Sequence, residues 1–215
     1  MTSAQTLTGV ALTPGDPGYA EACGGVQTTY PHRPSVVVRA AGAADVRLAV
    51  RRAAELGLTV AVQATGHGLN VPSDGGMLID TSRMADVRVD PVARTAWAAA
   101  GTRWERVVEA AGQHGLAPLS GSSPDVGVVG YTLSGGLGLV SRSFGYAADH
   151  VRRVELVTAD GEMRTAVPGD DLFWAVRGGG GNFGVVTGIE FALFPVDRFY
   201  GGGMYFDTPL LPAVL

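Results

Sequence analysis

The residues best placed to do chemistry are one histidine and a large number of glycines. Thr65-Gly66-His67-Gly68 sets an imidazole between two residues that have no side chain. Gly121–Gly138, reading GSSPDVGVVGYTLSGGLG, has glycine at 121, 127, 130, 135, 136 and 138, and Arg177–Thr187 repeats the theme with Gly178 to Gly181 and Gly184. Backbone N–H groups uncovered by side chains can lie directly against a phosphate or a flat ring. The same glycines would also serve tight turns, and a lone histidine is more often structural than functional. Three bare-backbone loops on one chain are harder to attribute to turns alone.

The elements around these loops follow from hydrophobic periodicity. Val36–Arg39 is a short β-branched strand, and an amphipathic helix follows over Ala43–Leu56, with Val46, Ala49, Val50 and Ala53 at helical spacing. Leu58–Ala64 is the next strand, so the β-α-β order predicts a small parallel layer. That strand ends in the His67 loop, and parallel sheets gather ligands at the carboxyl ends of their strands. Met77–Asp80 is predicted as a strand, and Val87–Val89 with Thr95–Trp97 as a hairpin around Asp90-Pro91. Thr102-Arg-Trp-Glu105 has the pattern of a capping box at the start of a helix reaching about Gln113. Arg153–Thr158 and Met163–Val167 flank Asp160-Gly161, which predicts a second hairpin with a type I′ turn. A short helix opened by Asp170 and Asp171 and a strand through Phe191 and Leu193 complete the pattern. Residues 1–30 lack clear periodicity and read as a surface lead-in with room for a short helix.

Composition narrows the chemistry. The 215 residues are 46% hydrophobic and 17% charged, with a formal net charge of −4. No apolar run approaches the roughly 20 residues of a membrane span. The N-terminus has neither a basic start nor a sustained apolar block, so a cytoplasmic location is expected. All 16 basic residues are arginine, which removes a P-loop lysine, a lysine Schiff base and a pyridoxal phosphate anchor. They are scattered, giving no footprint for nucleic acid. Cys23 is the sole cysteine, so redox chemistry must come from a cofactor, and no metal site is expected.

Taken in order, Gly66-His67-Gly68, Ser123-Pro-Asp-Val-Gly127 through Gly135-Gly136-Leu-Gly138, Tyr146-Ala-Ala-Asp149, Asp171-Leu-Phe-Trp-Ala-Val-Arg-Gly178 and Gly181-Asn-Phe-Gly-Val-Val-Thr187 resemble the FAD-binding half of the berberine-bridge-enzyme-like flavin oxidoreductases, within the vanillyl-alcohol-oxidase and p-cresol-methylhydroxylase group. The resemblance covers roughly Pro34 to Val196. It implies an α+β fold of two subdomains, a small parallel layer plus a mainly antiparallel sheet with flanking helices, and FAD stretched between them.

It further implies that His67 is the covalent anchor to the flavin 8α carbon. Thr65, Gly66, Gly68 and Leu69 then touch FAD around it, with Ser123, Val126, Gly127, Gly130, Tyr131, Gly136 and Gly138 from the glycine-rich stretch and Gly184, Val185 and Val186 from the last loop. Ser123 stands where some members carry a second, cysteine link, so a single link is expected here. Tyr131 stands where related members have histidine, near the pyrimidine edge of the flavin; structural packing is an equal alternative. His150 follows Asp149, a position often held by asparagine, and is given no role.

The implied function is hydride transfer from a small alcohol, sugar or natural-product substrate to the flavin, with oxygen or another acceptor reoxidising it. The alternative is a flavin-binding fragment without catalytic competence. Residues 1–32 are expected as lead-in and 33–200 as the FAD-binding domain. Residues 201–215, with Gly203–Phe206 as a strand and Thr208-Pro209 opening a helix, read as the start of a substrate domain cut short. The catalytic base remains unassigned.

Overall fold

The computed structural model describes residues 6–68, 72–196 and 198–214. Leu69, assigned to the cofactor by resemblance, lies outside the described residues. The chain builds a four-stranded sheet and a five-stranded sheet, with a long helix packed between them.

The first sheet uses β1 (Val10–Leu12), then α1 (Tyr19–Cys23), β2 (Val36–Arg39), α2 (Ala43–Glu55), β3 (Val60–Gln63) and β4 (Met77–Asp80). Its strand order is β1-β2-β4-β3. Strands β2 and β3 each run parallel to β4, whose insertion between them separates the two strands of the predicted β-α-β unit. All four β4 residues are buried, as expected of a central parallel strand, which reads as a continuous apolar run rather than an alternation. The antiparallel edge strand β1 comes from the lead-in. Leu12 and Ala22 share a small core with Val37 and Leu78, so the lead-in is part of the packed structure.

The second sheet has the order β5-β6-β9-β7-β8 and is antiparallel throughout. Its parts are β5 (Val87–Asp90), β6 (Thr95–Ala99), α3 (Trp104–Gly112), α4 (Val128–Leu133), α5 (Ser141–Phe144), β7 (Val151–Val157), β8 (Met163–Ala166), α6 (Asp171–Val176) and β9 (Val185–Ala192). Trp104, Val107 and Ala111 of α3 enter a core with Val128, Val154, Phe173 and Ile189. A last helix, α7 (Leu211–Val214), follows a 3-10 turn over Thr208–Leu210.

Helix α2 joins the two halves. Its inward residues Val46, Ala49, Val50 and Ala53 pack on Val38 and Ile79 of the parallel sheet and on Ala99, Val157 and Val185 of the antiparallel one. On its flank, Arg47 Nε donates to the Gly161 carbonyl at 3.1 Å and Arg51 Nη2 to Glu162 Oε1 at 2.6 Å.

Three local expectations change. The capping box does not form: Thr102 Oγ1 donates to the Asp86 carbonyl, and the first α3 amides, Trp104 and Glu105, donate to the carbonyls of Val126 and Pro124. The β7–β8 hairpin forms, but not with a type I′ turn. Only Gly161 has positive φ (73°), whereas I′ requires it at both central residues. Gly161 N–H donates to Thr158 O and Thr158 N–H to Glu162 O, the pattern of a three-residue loop closed by a left-handed glycine. Gly203–Phe206 is irregular and exposed rather than a strand.

Candidate functional site

The His67 loop leaves the carboxyl end of β3. Gly66 is buried with φ at +69°, His67 is half-buried, and its Nδ1 lies 2.8 Å from Thr65 Oγ1. That bond holds the imidazole in one rotamer, and the direction of donation sets its tautomer.

The glycine-rich stretch is brought to the same place by α3. Val126 and Pro124 accept from the start of that helix, Arg103 bridges to Gly127, and Val128 N–H donates to Thr102 O. Gly127 is thereby buried against Thr65, and a Cβ added to it would stand 3.5 Å from Thr65 Oγ1. Two candidate loops far apart in sequence therefore meet. Gly130, one helical turn on, is exposed, with nothing within 4 Å of where its side chain would be. Val126 is half-buried and packs against the core of the antiparallel half, and Ser123 and Gly68 sit at the surface, Ser123 partly covered.

Gly121, Gly136 and Gly138 face inward to Tyr131. A Cβ at Gly136 would lie 2.6 Å from Ala147 Cβ and 2.9 Å from the Tyr131 ring, and one at Gly138 would lie 2.9 Å from the Tyr131 hydroxyl. The ring stands edge-on to Trp104, centroids 5.5 Å apart. Its hydroxyl is buried without a hydrogen-bond partner among the described residues, and burial raises its pKa above the usual tyrosine value.

The remaining motifs are stitched onto this frame. Ala147 and Ala148 donate their amides to the carbonyls of Gly136 and Gly135, and Arg177 Nη1 donates to Ala148 O at 3.1 Å. His150 Nε2 lies 2.6 Å from Phe144 O, and its ring stands edge-on to Phe194, which gives it a structural place. Gly184 (φ +148°) packs against the Val157 carbonyl, Val185 is buried in the core around α2, and Val186 flanks the core of the antiparallel half. That loop meets β7 rather than the His67 loop.

A cleft of about 280 Å³ opens where β2, β3 and β4 end. Arg39, Gln63 and Asp80, the last residues of those strands, line it with Thr65, Ser82, Arg103 and the Gly24–Val26 backbone. Arg39 is braced by Asp80 at 3.1 Å and Glu21 at 3.4 Å, and Arg103 by Asp125 at 3.2 Å. The lining combines two guanidinium groups, each paired with a carboxylate, with the Thr65 and Ser82 hydroxyls and the Gly25 amide, and the glycines leave room for a diphosphate, so these residues fit FAD. A larger cavity, about 1120 Å³, opens between β1, β2 and the Arg47–Glu55 side of α2 and includes none of the glycine loops. Size alone does not mark the site: the arginines of that groove, Arg47, Arg51 and Arg52, are engaged by Gly161, Glu162 and Glu55.

Sequence reasoning passed over Arg39, Ser82, Arg103 and Gly24–Val26. The double glycine after Cys23 and the polar residues at strand ends were the available signals. Burial raises the Cys23 thiol pKa, which argues against a reactive thiolate. Among the described residues no cluster of ligating side chains could hold a metal, and no helix is long and apolar enough to cross a membrane.

Residues 34–166 match the FAD binding domain family. The chain belongs to that family, and its fold is the FAD-binding fold of the p-cresol-methylhydroxylase type. It is 34% identical over 197 residues to (R)-6-hydroxynicotine oxidase of Paenarthrobacter nicotinovorans, covering 90% of this chain and 43% of that protein. It is 34% identical over 172 residues to the xylooligosaccharide oxidase of Thermothelomyces thermophilus, covering 76% and 34%. The solved structure of BBE-like 1 from Physcomitrella patens superposes with a TM-score of 0.81 at 28% identity, over 87% of this chain and 42% of that one. The chain thus spans less than half the length of these relatives.

Proposed function

We propose that this chain is the FAD-binding module of an oxidoreductase that takes a hydride from a small alcohol, sugar or natural-product substrate, with the flavin held by one covalent link at His67. The observation that carries the reading is the convergence of Thr65-Gly66-His67-Gly68 with Gly127 beside the cleft at the strand ends. FAD, when bound, supplies a two-electron acceptor that dioxygen or another oxidant can restore.

The chain's own part is to bind and orient. Arg39, Arg103 and the amides around Gly66, Gly68, Gly127 and Gly130 would hold the diphosphate. His67, kept in one rotamer by Thr65, offers a ring nitrogen as the nucleophile. Val126, Tyr131, Gly136, Gly138 and the Gly184–Val186 loop would shape the walls. Ser123, a hydroxyl rather than a thiol, forms no second link.

Protein loaded with FAD is expected to keep its yellow colour in the pellet after acid precipitation, with flavin mapped to the His67 peptide alone. His67→Ala is expected to release all flavin to the supernatant. Free flavin from the wild type, or flavin on a peptide holding Ser123 or Cys23, sinks the single-link reading. Anaerobic bleaching of the flavin by a sugar or alcohol panel separates turnover from binding alone.

A further inference from the structure

We propose that Gly24–Gln27 is a strap that sets the His67 loop, with Gly25 as its positioning residue. The inference rests on the reading of His67 as the flavin anchor. Val26 N–H donates to the Thr65 carbonyl at 3.2 Å and Gln27 N–H to the Gly66 carbonyl at 2.9 Å. These are the two carbonyls immediately before His67, so the strap fixes the direction in which the chain enters that residue. From the other side, Gln63, the last residue of β3 and 6% exposed, donates Nε2 to the Gly24 carbonyl at 2.5 Å. The strap is anchored upstream by Ala22, buried against Leu78, and by the Tyr19 hydroxyl donating to Pro34 O at 2.6 Å.

The contact leaves no space for a side chain. A Cβ on Gly25 would stand 2.9 Å from Gly66 Cα and 3.3 Å from Gln63 Oε1. A Cβ on Gly66 would stand 2.6 Å from Gly25 Cα. Gly66 needs glycine on a second count, its φ of +69°. Gly25 is not in the left-handed region, so close approach alone demands glycine there. Any side chain at 25 must push the strap or the His67 loop aside, and both border the cleft.

Linkage is sensitive to such a shift. Joining an imidazole nitrogen to the flavin 8α carbon forms a C–N bond and breaks one methyl C–H and the imidazole N–H. The two protons and two electrons pass to the flavin, and dioxygen removes them as hydrogen peroxide. Bond formation needs the two atoms aligned, and a misplacement of about 1 Å can cost about 100-fold in rate. Non-covalent binding through many separate amides is far more tolerant.

The test compares wild type, Gly25→Ala, Gln63→Leu and the control Gly42→Ala, whose added methyl meets nothing within 4 Å. Flavin-free chains are mixed with FAD. The linked fraction is followed by acid precipitation, the FAD dissociation constant by flavin fluorescence, and the Val26 and Gln27 amides by hydrogen exchange. Gly25→Ala is expected to slow linkage at least about tenfold at saturating FAD, beyond any change in the dissociation constant, and to expose both amides to exchange. Gly42→Ala is expected to behave as wild type. Wild-type linkage and exchange in Gly25→Ala overturn the proposal, as does a linkage loss that only tracks the dissociation constant. If the wild type binds FAD but never links it, the anchor reading of His67 fails. The strap then stands or falls on amide exchange alone. Should Gly25→Ala not fold, Gln63→Leu removes the Gly24 carbonyl's donor without crowding the contact and is judged on the same readouts.

Discussion

Tyr131 concentrates the physical tension of the site in one residue. Its ring is enclosed by Gly121, Gly136 and Gly138 and by Trp104, yet its buried hydroxyl meets no partner among the described residues. An unsatisfied buried polar group costs about 1–3 kcal/mol, and removing it can be neutral or stabilising. Tyr131→Phe is therefore expected to stabilise the flavin-free chain by about 1 kcal/mol, read as a higher urea midpoint. Burial raises the folded-state pKa of this phenol above its ordinary 10.0. Its contribution is full below pH 10 and is lost as pH rises toward the folded value, so the variant should also flatten the alkaline loss of stability. If the hydroxyl serves the flavin, the same variant binds FAD more weakly. Unchanged affinity assigns Tyr131 to packing. Glycine spacing singled out this stretch from sequence, but not that three of its bare faces are filled by a tyrosine from the same stretch. That depends on how α4 folds back. The His67 and Gly127 meeting was legible only through the resemblance, because it depends on a hydrogen-bonded crossing between α3 and the loop after it.

At the scale of elements, two carboxylates organise what alternation could not reveal. Asp45, 1% exposed, accepts the amides of Thr8, Gly9 and Ala41, each at 2.8 Å. It ties the start of α2 to the chain entering β1. Asp45→Ala strands three donors and is expected to cost about 3 kcal/mol, with protease cleavage before Val10 as the specific sign. Asp160 organises the β7–β8 turn: the Thr158 hydroxyl, then Arg164 and the Glu162 amide, hold it down to about 2. Its folded pKa lies below the ordinary 3.8 of an aspartate, so its contribution is present above that value and lost as pH falls through about 2. Asp160→Asn should make the thermal midpoint less sensitive to acid between those limits. Strands β2 and β4 and helix α2 were readable because their apolar pattern is long enough to declare a period. Strand β1 was not, because three residues among Thr, Gly and Pro carry no period. Its place is set by a carboxylate more than thirty residues away. The capping box misled for a related reason: the α3 amides find backbone carbonyls, which no residue pattern announces.

At the scale of the whole molecule, the question is whether the two sheets unfold separately. Among the described residues their strands do not pair with one another, so backbone hydrogen bonding would allow it. The core around α2 argues otherwise. Val46, 0% exposed, packs in one cluster with Ile79 of the parallel sheet and with Val157 and Val185 of the antiparallel sheet. Neither sheet can leave without exposing that shared surface, at roughly 25 cal/mol per Å² of apolar area. The ion pairs from Glu162 to Arg51 at 2.6 Å and Arg47 at 3.7 Å are half-exposed and add little. Apolar burial should therefore dominate the coupling, and high salt should leave it largely intact. The indoles of Trp97 and Trp104 report on the antiparallel half, whereas far-UV circular dichroism reports on both. The two signals are expected to follow one urea transition. Val46→Ala, a cavity on the parallel side, should move both by the same amount, about 1–3 kcal/mol. A tryptophan transition that stays in place while the dichroism shifts would show that α2 does not couple the sheets. The cleft at the ends of β2, β3 and β4 would then lose the rigid support of its Arg103 wall.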